Sequence, residues 1–194
     1  MTGSRIEGHR AETDAVATLR DYLDRRGRLD PREALAIFLP VMRTLADAHE
    51  LGLVHGALCP EELIALPGSA ESFGLAAFGP EDREARSLAY LAPEQAESSV
   101  VSAPQLDVWA LGVMLFEALA AERPFVGDSP PLVLVRVLTE VAPPLRQVWP
   151  DAPIALAQVV DRALRPDPSG RPASMRTFIA ALTEAAARDG VAIA

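Results

Sequence analysis

This chain of 194 residues is poor in cysteine, in aromatic side chains and in basic charge. A single cysteine, Cys59, excludes an internal disulfide framework and a thiolate zinc cluster. Eighteen basic residues against 27 acidic ones leave a net charge of −9. A nonspecific binder of phosphate backbones needs the opposite balance, so no nucleic-acid partner is expected. Long hydrophobic runs are missing as well. The longest, Val108 to Ala121, is interrupted by Glu117 and is too short to span a bilayer. It reads as a helix inside a protein core, and no membrane partner is expected. Met1 to Ala17 lacks an apolar core region, so no signal peptide is expected, and a cytoplasmic location fits.

What is present is globular: 49% hydrophobic and 23% charged residues, enough chain for one domain with a real core. Residues 1–14 are polar and aperiodic and read as a flexible leader before a domain over 15–190. Helical patterning begins near Ala17, with Leu19, Tyr22 and Leu23 on one face, and stops at Gly27. Asp30-Pro31-Arg32-Glu33 opens a second helix: Asp30 caps, Pro31 suits the first turn, and Glu33 completes a capping box. Its apolar stripe runs through Leu35, Phe38, Leu39, Met42 and Leu45, Pro40 should bend it, and Gly52 ends it. Short strands and turns follow at Leu53-Val54, Leu63 to Leu66 and Phe73 to Ala77. Helices are expected again over 107–121, 130–140, 153–164 and 173–187, with Pro143-Pro144 and Asp167-Pro168-Ser169-Gly170 as separators.

Five motifs carry the chemistry. The first is Val54-His55-Gly56-Ala57-Leu58-Cys59-Pro60-Glu61-Glu62-Leu63-Ile64, followed by Ala77-Phe78-Gly79 and by Ala92-Pro93-Glu94. Then come Asp107-Val108-Trp109-Ala110-Leu111-Gly112 and Gly170-Arg171-Pro172. Together, in this order, they resemble the large lobe of protein kinases, the bacterial serine/threonine kinases in particular. The resemblance runs from about Ala17 to Ala187. It implies a mainly α fold, a kinase-like C-lobe with a small β-hairpin element, lacking the N-terminal β lobe.

In that family the catalytic loop reads His-Arg-Asp-Leu-Lys-Pro-Glu-Asn; its Asp accepts the substrate proton and its Asn holds magnesium. Here Gly56 stands for the Arg, Ala57 for the Asp, Cys59 for the Lys and Glu62 for the Asn. Ala77 stands for the metal-binding Asp of Asp-Phe-Gly; the alternative frame, Ser72-Phe73-Gly74, lacks that Asp too. Alanine accepts no proton. The resemblance therefore implies a degenerate pseudokinase that is not an enzyme and takes no cofactor or metal. Glu61 and Glu62 side by side read as a solvated loop rather than a metal site. A residual phosphoryl or nucleotidyl transferase is the less favoured reading.

The remaining roles follow from the resemblance. Glu94 and Arg171 are expected to form a buried structural pair, and Asp107 to hold the catalytic-loop backbone near Trp109. His55 is expected to pack beneath Phe78 as a core histidine. Cys59 is expected on an open cleft, where labelling is plausible and function doubtful. With no lobe to cover them, Leu63, Ile64, Leu66, Leu75 and Phe78 should form an apolar interface. The expectation is a protein-interaction or scaffold module, binding a second copy or another protein there. The alternative is one half of a split kinase-like assembly that another chain completes.

Overall fold

Local signals start each helix in the computed structural model, which describes residues 17–68, 72–76, 88–96 and 103–193. Thr18 caps α1 (Leu19–Arg26) and exchanges hydrogen bonds with Asp21 in a capping box, and Gly27 ends it at φ 69°. Asp30 caps α2 (Pro31–Glu50), accepting from the amides of Arg32 at 2.8 Å and Glu33 at 3.3 Å. The capping box expected at Glu33 is not what forms. Its carboxylate turns to α1, accepting from the Tyr22 hydroxyl and from Arg26, because that side of α2 faces α1.

Helix α2 runs unbroken through Pro40. Pro40 offers no amide to the carbonyl of Ala36, but both residues face solvent, so water can take that carbonyl. The opposite face, from Ala34 through Leu45, is buried. Leu53-Val54, expected as a strand, is loop: the Leu53 amide closes the turn onto the Ala48 carbonyl, and Leu53 is exposed. No neighbouring strand among the described residues pairs with it.

Among the described residues the sheet has two strands, β1 (Leu63–Ala65) and β2 (Phe73–Leu75), antiparallel with Ile64 opposite Gly74. The other edge of β1 is met by the chain entering α1: the Ala65 amide donates to the Ala17 carbonyl, and Thr18 bridges to Ile64.

The other α-helices among the described residues are α3 (Pro93–Ala96), α4 (Pro104–Ala120), α5 (Pro130–Thr139), α6 (Leu145–Val148), α7 (Ile154–Ala163) and α8 (Met175–Arg188). The short helices α3 and α6 carry too little periodicity to be read from sequence. Helix α4 is apolar on every side and is buried without a break from Leu106 to Leu119. It lies among α2, α7 and α8. Trp109 on α4 stacks on Phe125 with centroids 6.1 Å apart.

Helices α4 and α7 approach tightly at Gly112, where an added Cβ would lie 2.9 Å from the Ala163 Cβ and 3.2 Å from Leu164. Ala163 is on α7 itself, so it cannot yield as a flexible side chain would. Gly112→Ala is expected to lower the urea-unfolding free energy by about 1–3 kcal/mol through overpacking. An unchanged midpoint would show that α4 and α7 are free to slide apart.

Candidate functional site

The loop from His55 to Cys59, continued by a 3-10 turn at Pro60–Glu62, is fixed from below by Asp107 at the start of α4. This fully buried carboxylate accepts from the His55 amide at 3.0 Å, the Gly56 amide at 2.7 Å and the His49 ring at 2.8 Å. A charged acceptor with several donors is how a buried carboxylate is tolerated. Gly56 has φ 70°, so the bend at this position suits glycine and strains other residues. From above, the Gln95 side chain donates to the Gly56 carbonyl at 2.8 Å and accepts from the Ala92 amide at 3.0 Å. The loop is thus held rigidly between α3 and α4.

What the loop presents is short of proton-transfer groups. Ala57 is half-buried and offers only a methyl group. Cys59, expected on an open cleft, is instead 2% exposed. Burial, reinforced by the carboxylates of Glu61 and Glu62, pushes its thiol up to about 12. The open-cleft expectation failed because the side chain at position 59 turns into the core, beside Leu58 and Leu63. Glu62 is half-buried and its carbonyl accepts from the Ala76 amide, tying the loop to the sheet. Among the described residues no group of three or more His, Cys, Asp or Glu side chains gathers to hold a metal ion. The chain also contains no lysine and no asparagine, so the family's strand lysine and loop asparagine have no counterpart within these 194 residues. Ala77 and Phe78 lie outside the described residues, as does any packing of His55 beneath Phe78; His55 itself is buried.

Beside the loop lies a cluster that sequence reading did not predict. Arg20 of α1 donates to Glu117 of α4 at 2.9 and 3.1 Å and to the Tyr90 oxygen at 2.5 Å, and sits 3.5 Å from Glu61. Tyr90 in turn donates to Glu117 at 2.5 Å. Burial, with Glu117 next to it, raises the Tyr90 pKa, so the phenol keeps its proton and remains a donor. The signal was available: Glu117 interrupts an otherwise apolar helix, and a charge there demands a partner.

Arg171 has no exposed side-chain surface and makes a two-pronged pair with Glu94 at 2.7 and 2.8 Å. It also donates to the carbonyls of Arg165, Pro166 and Gln105, and its guanidinium lies 4.7 Å from the Trp109 ring centre. Glu94 was expected to be buried; its side chain is 31% exposed, because it opens onto a groove beside α5.

The apolar face expected at the sheet is smaller than the sequence implied. Leu63 is fully buried, because the cover it was expected to lack is supplied by α1. Ile64 and Leu75 are half-buried, Leu66 is 44% exposed, and Phe78 lies outside the described residues.

Comparison with known proteins places this architecture. Residues 11–182 match the family described as protein kinase domain. The chain is 31% identical over 163 residues to the probable serine/threonine-protein kinase PknB of Lactococcus lactis, covering 79% of this chain and 26% of that protein. It is 31% identical over 183 residues to serine/threonine-protein kinase pkn3 of Myxococcus xanthus, covering 84% and 33%. It is 33% identical over 162 residues to PknA of Mycobacterium tuberculosis, covering 79% and 37%. The chain therefore spans between about a quarter and somewhat over a third of the length of these relatives. The expectation that the chain is not an enzyme is corrected here. The family matched and the relatives at this identity are protein kinases, and they point to a kinase enzyme. Replacement of motif residues at 57, 59 and 62 is a statement about those positions alone.

Two outcomes are expected. Arg171→Ala orphans three carbonyls and Glu94→Ala leaves a buried cation, so each should cost about 3–5 kcal/mol. The double variant should cost less than the sum, and strict additivity would show that the pair does not act as a unit. The native Cys59 thiol should resist a disulfide reagent at pH 8 and titrate fully only after unfolding in urea; rapid labelling of the native protein would contradict its burial.

Proposed function

Because this chain belongs to the protein kinase family, we propose that it serves as the large lobe of a kinase-type assembly and acts by binding protein on the face of β1 and β2. The observation that carries the reading is the exposure of Leu66, with half-exposed Ile64 on the same side of a sheet that has two strands among the described residues; Leu75, paired with Leu63, packs on the core side. In the family this strand forms the floor of the nucleotide cleft, beneath a small β lobe. An apolar surface open to water gains free energy when a partner excludes water from it. A regulatory or scaffold role is the form this binding takes, in the cytoplasm.

A second reading has one observation in its favour. Leu66 packs over Gly74, where an added Cβ would lie 3.0 Å from its Cδ2. Leu66 thereby lies across the outer side of the strand pair, and a small lobe supplied by another chain is the partner this second reading places on it.

The relatives named above are serine/threonine kinases, and phosphoryl transfer needs a proton acceptor and magnesium ligands. An active assembly built on this lobe draws its acceptor from a position other than 57, since a methyl group accepts nothing.

Ile64→Asp places a charge on this face without entering the core. Affinity-purified from its native host, the wild-type chain is expected to bring down a protein that the variant loses, with the far-ultraviolet circular dichroism of the two unchanged. Identical co-purifying proteins for both would count against the reading.

A further inference from the structure

A second surface, around α5, has chemistry of its own. Five of the nine large hydrophobic residues exposed among the described residues sit on or beside α5: Val126, Leu132, Val135, Leu138 and Val141. Leu132, Val135 and Leu138 recur every third residue, forming a slanting stripe along the helix. That stripe runs into a groove of about 350 Å³ between the end of α5, α3 and the Pro166–Pro168 turn. Its walls are aliphatic, with Val141, Pro93 and Pro166 among them.

Two carboxylates line the same groove, Glu94 and Glu140, and among the described residues no lysine or arginine does. Each Glu94 oxygen already accepts one N–H from Arg171, yet a carboxylate has about four acceptor sites in all. With its side chain 31% exposed, Glu94 retains sites that open outward. Glu140 is 54% exposed, and its nearest cation, Arg136, stands 3.9 Å away. That is a loose surface contact that leaves the carboxylate available.

We propose that this groove is a docking site for a segment of a partner protein carrying aliphatic side chains next to an arginine or lysine. The aliphatic side chains cover Val135, Leu138 and Val141; the cation reaches Glu94 and Glu140. A second copy of this chain is the wrong occupant. A two-fold contact sets the same patch against itself, and here acid would face acid in a chain of net charge −9. The site is separate from the β1–β2 face and does not depend on the function proposed for it.

The test uses the full chain and three fluorescein-labelled heptapeptides followed by fluorescence polarisation. One alternates leucine with arginine, one replaces the leucines by serine, and one replaces the arginines by glutamate. The leucine–arginine peptide is expected to bind tightest, and Glu140→Lys and Val141→Asp are each expected to weaken it about tenfold. Glu184→Lys, on α8 and outside the groove, serves as the charge control. Equal binding of the serine–arginine peptide, or an equal loss with Glu184→Lys, would reduce the effect to net charge and overturn the proposal. Failure of all three peptides to bind would overturn it too. So would a dimer of the free chain that Val141→Asp dissociates.

Discussion

Two carboxylates on one buried helix set the terms for this fold. Helix α4 is apolar on every side and must be surrounded, yet it carries Asp107 near one end and Glu117 near the other. A buried charge is costly unless donors reach it, and these two recruit theirs from different parts of the chain. Asp107 takes the His55 and Gly56 amides and the His49 ring. Glu117 takes Arg20 from α1 and Tyr90 from the segment before α3. Arg171 completes the arrangement at the start of the same helix, linking Glu94, the Gln105 carbonyl and the Trp109 face. One helix thus gathers the loop, the first helix and the turn before α8 around itself.

The consequence is a site whose scaffold is rigid at places where its proton-transfer groups are absent. The backbone at Gly56, next to Ala57, is held between Gln95 on one side and Asp107 on the other. Family membership points to a kinase enzyme, so the chemistry of an active assembly and the chemistry of positions 57 and 62 have to be kept apart. What this lobe does offer are surfaces: exposed Leu66 beside half-exposed Ile64 at the sheet, and an acidic, aliphatic groove beside α5. The groove shares Glu94 with the Arg171 pair at the start of α4, so one of its walls is fixed by the core.

The parts of the fold set by local chemistry were legible in the sequence. Asp30-Pro31 announces the start of α2, and the unbroken apolar run after Asp107 announces a core helix. Long-range effects were harder to read. Glu33 looked like the second half of a capping box, but a tyrosine and an arginine eleven and seven residues earlier compete for it and win. Leu63 and Cys59 looked exposed because family analogy removed their cover, while α1 and the core close over them. The cluster of Arg20, Tyr90 and Glu117 joins residues up to 97 positions apart, beyond the reach of any local pattern. The enzyme reading failed for a different reason: missing side chains at a few positions were weighed above membership of the whole domain.

The most direct test of the central claim, that the carboxylates of α4 position the loop, is amide hydrogen exchange in wild type and Asp107→Asn. Asparagine has the same shape, but it accepts at only one oxygen and turns an NH2 toward a backbone donor. The account predicts that the His55 and Gly56 amides exchange at least about tenfold faster in the variant, while α8 keeps its protection. Unchanged exchange at His55 and Gly56 would contradict it.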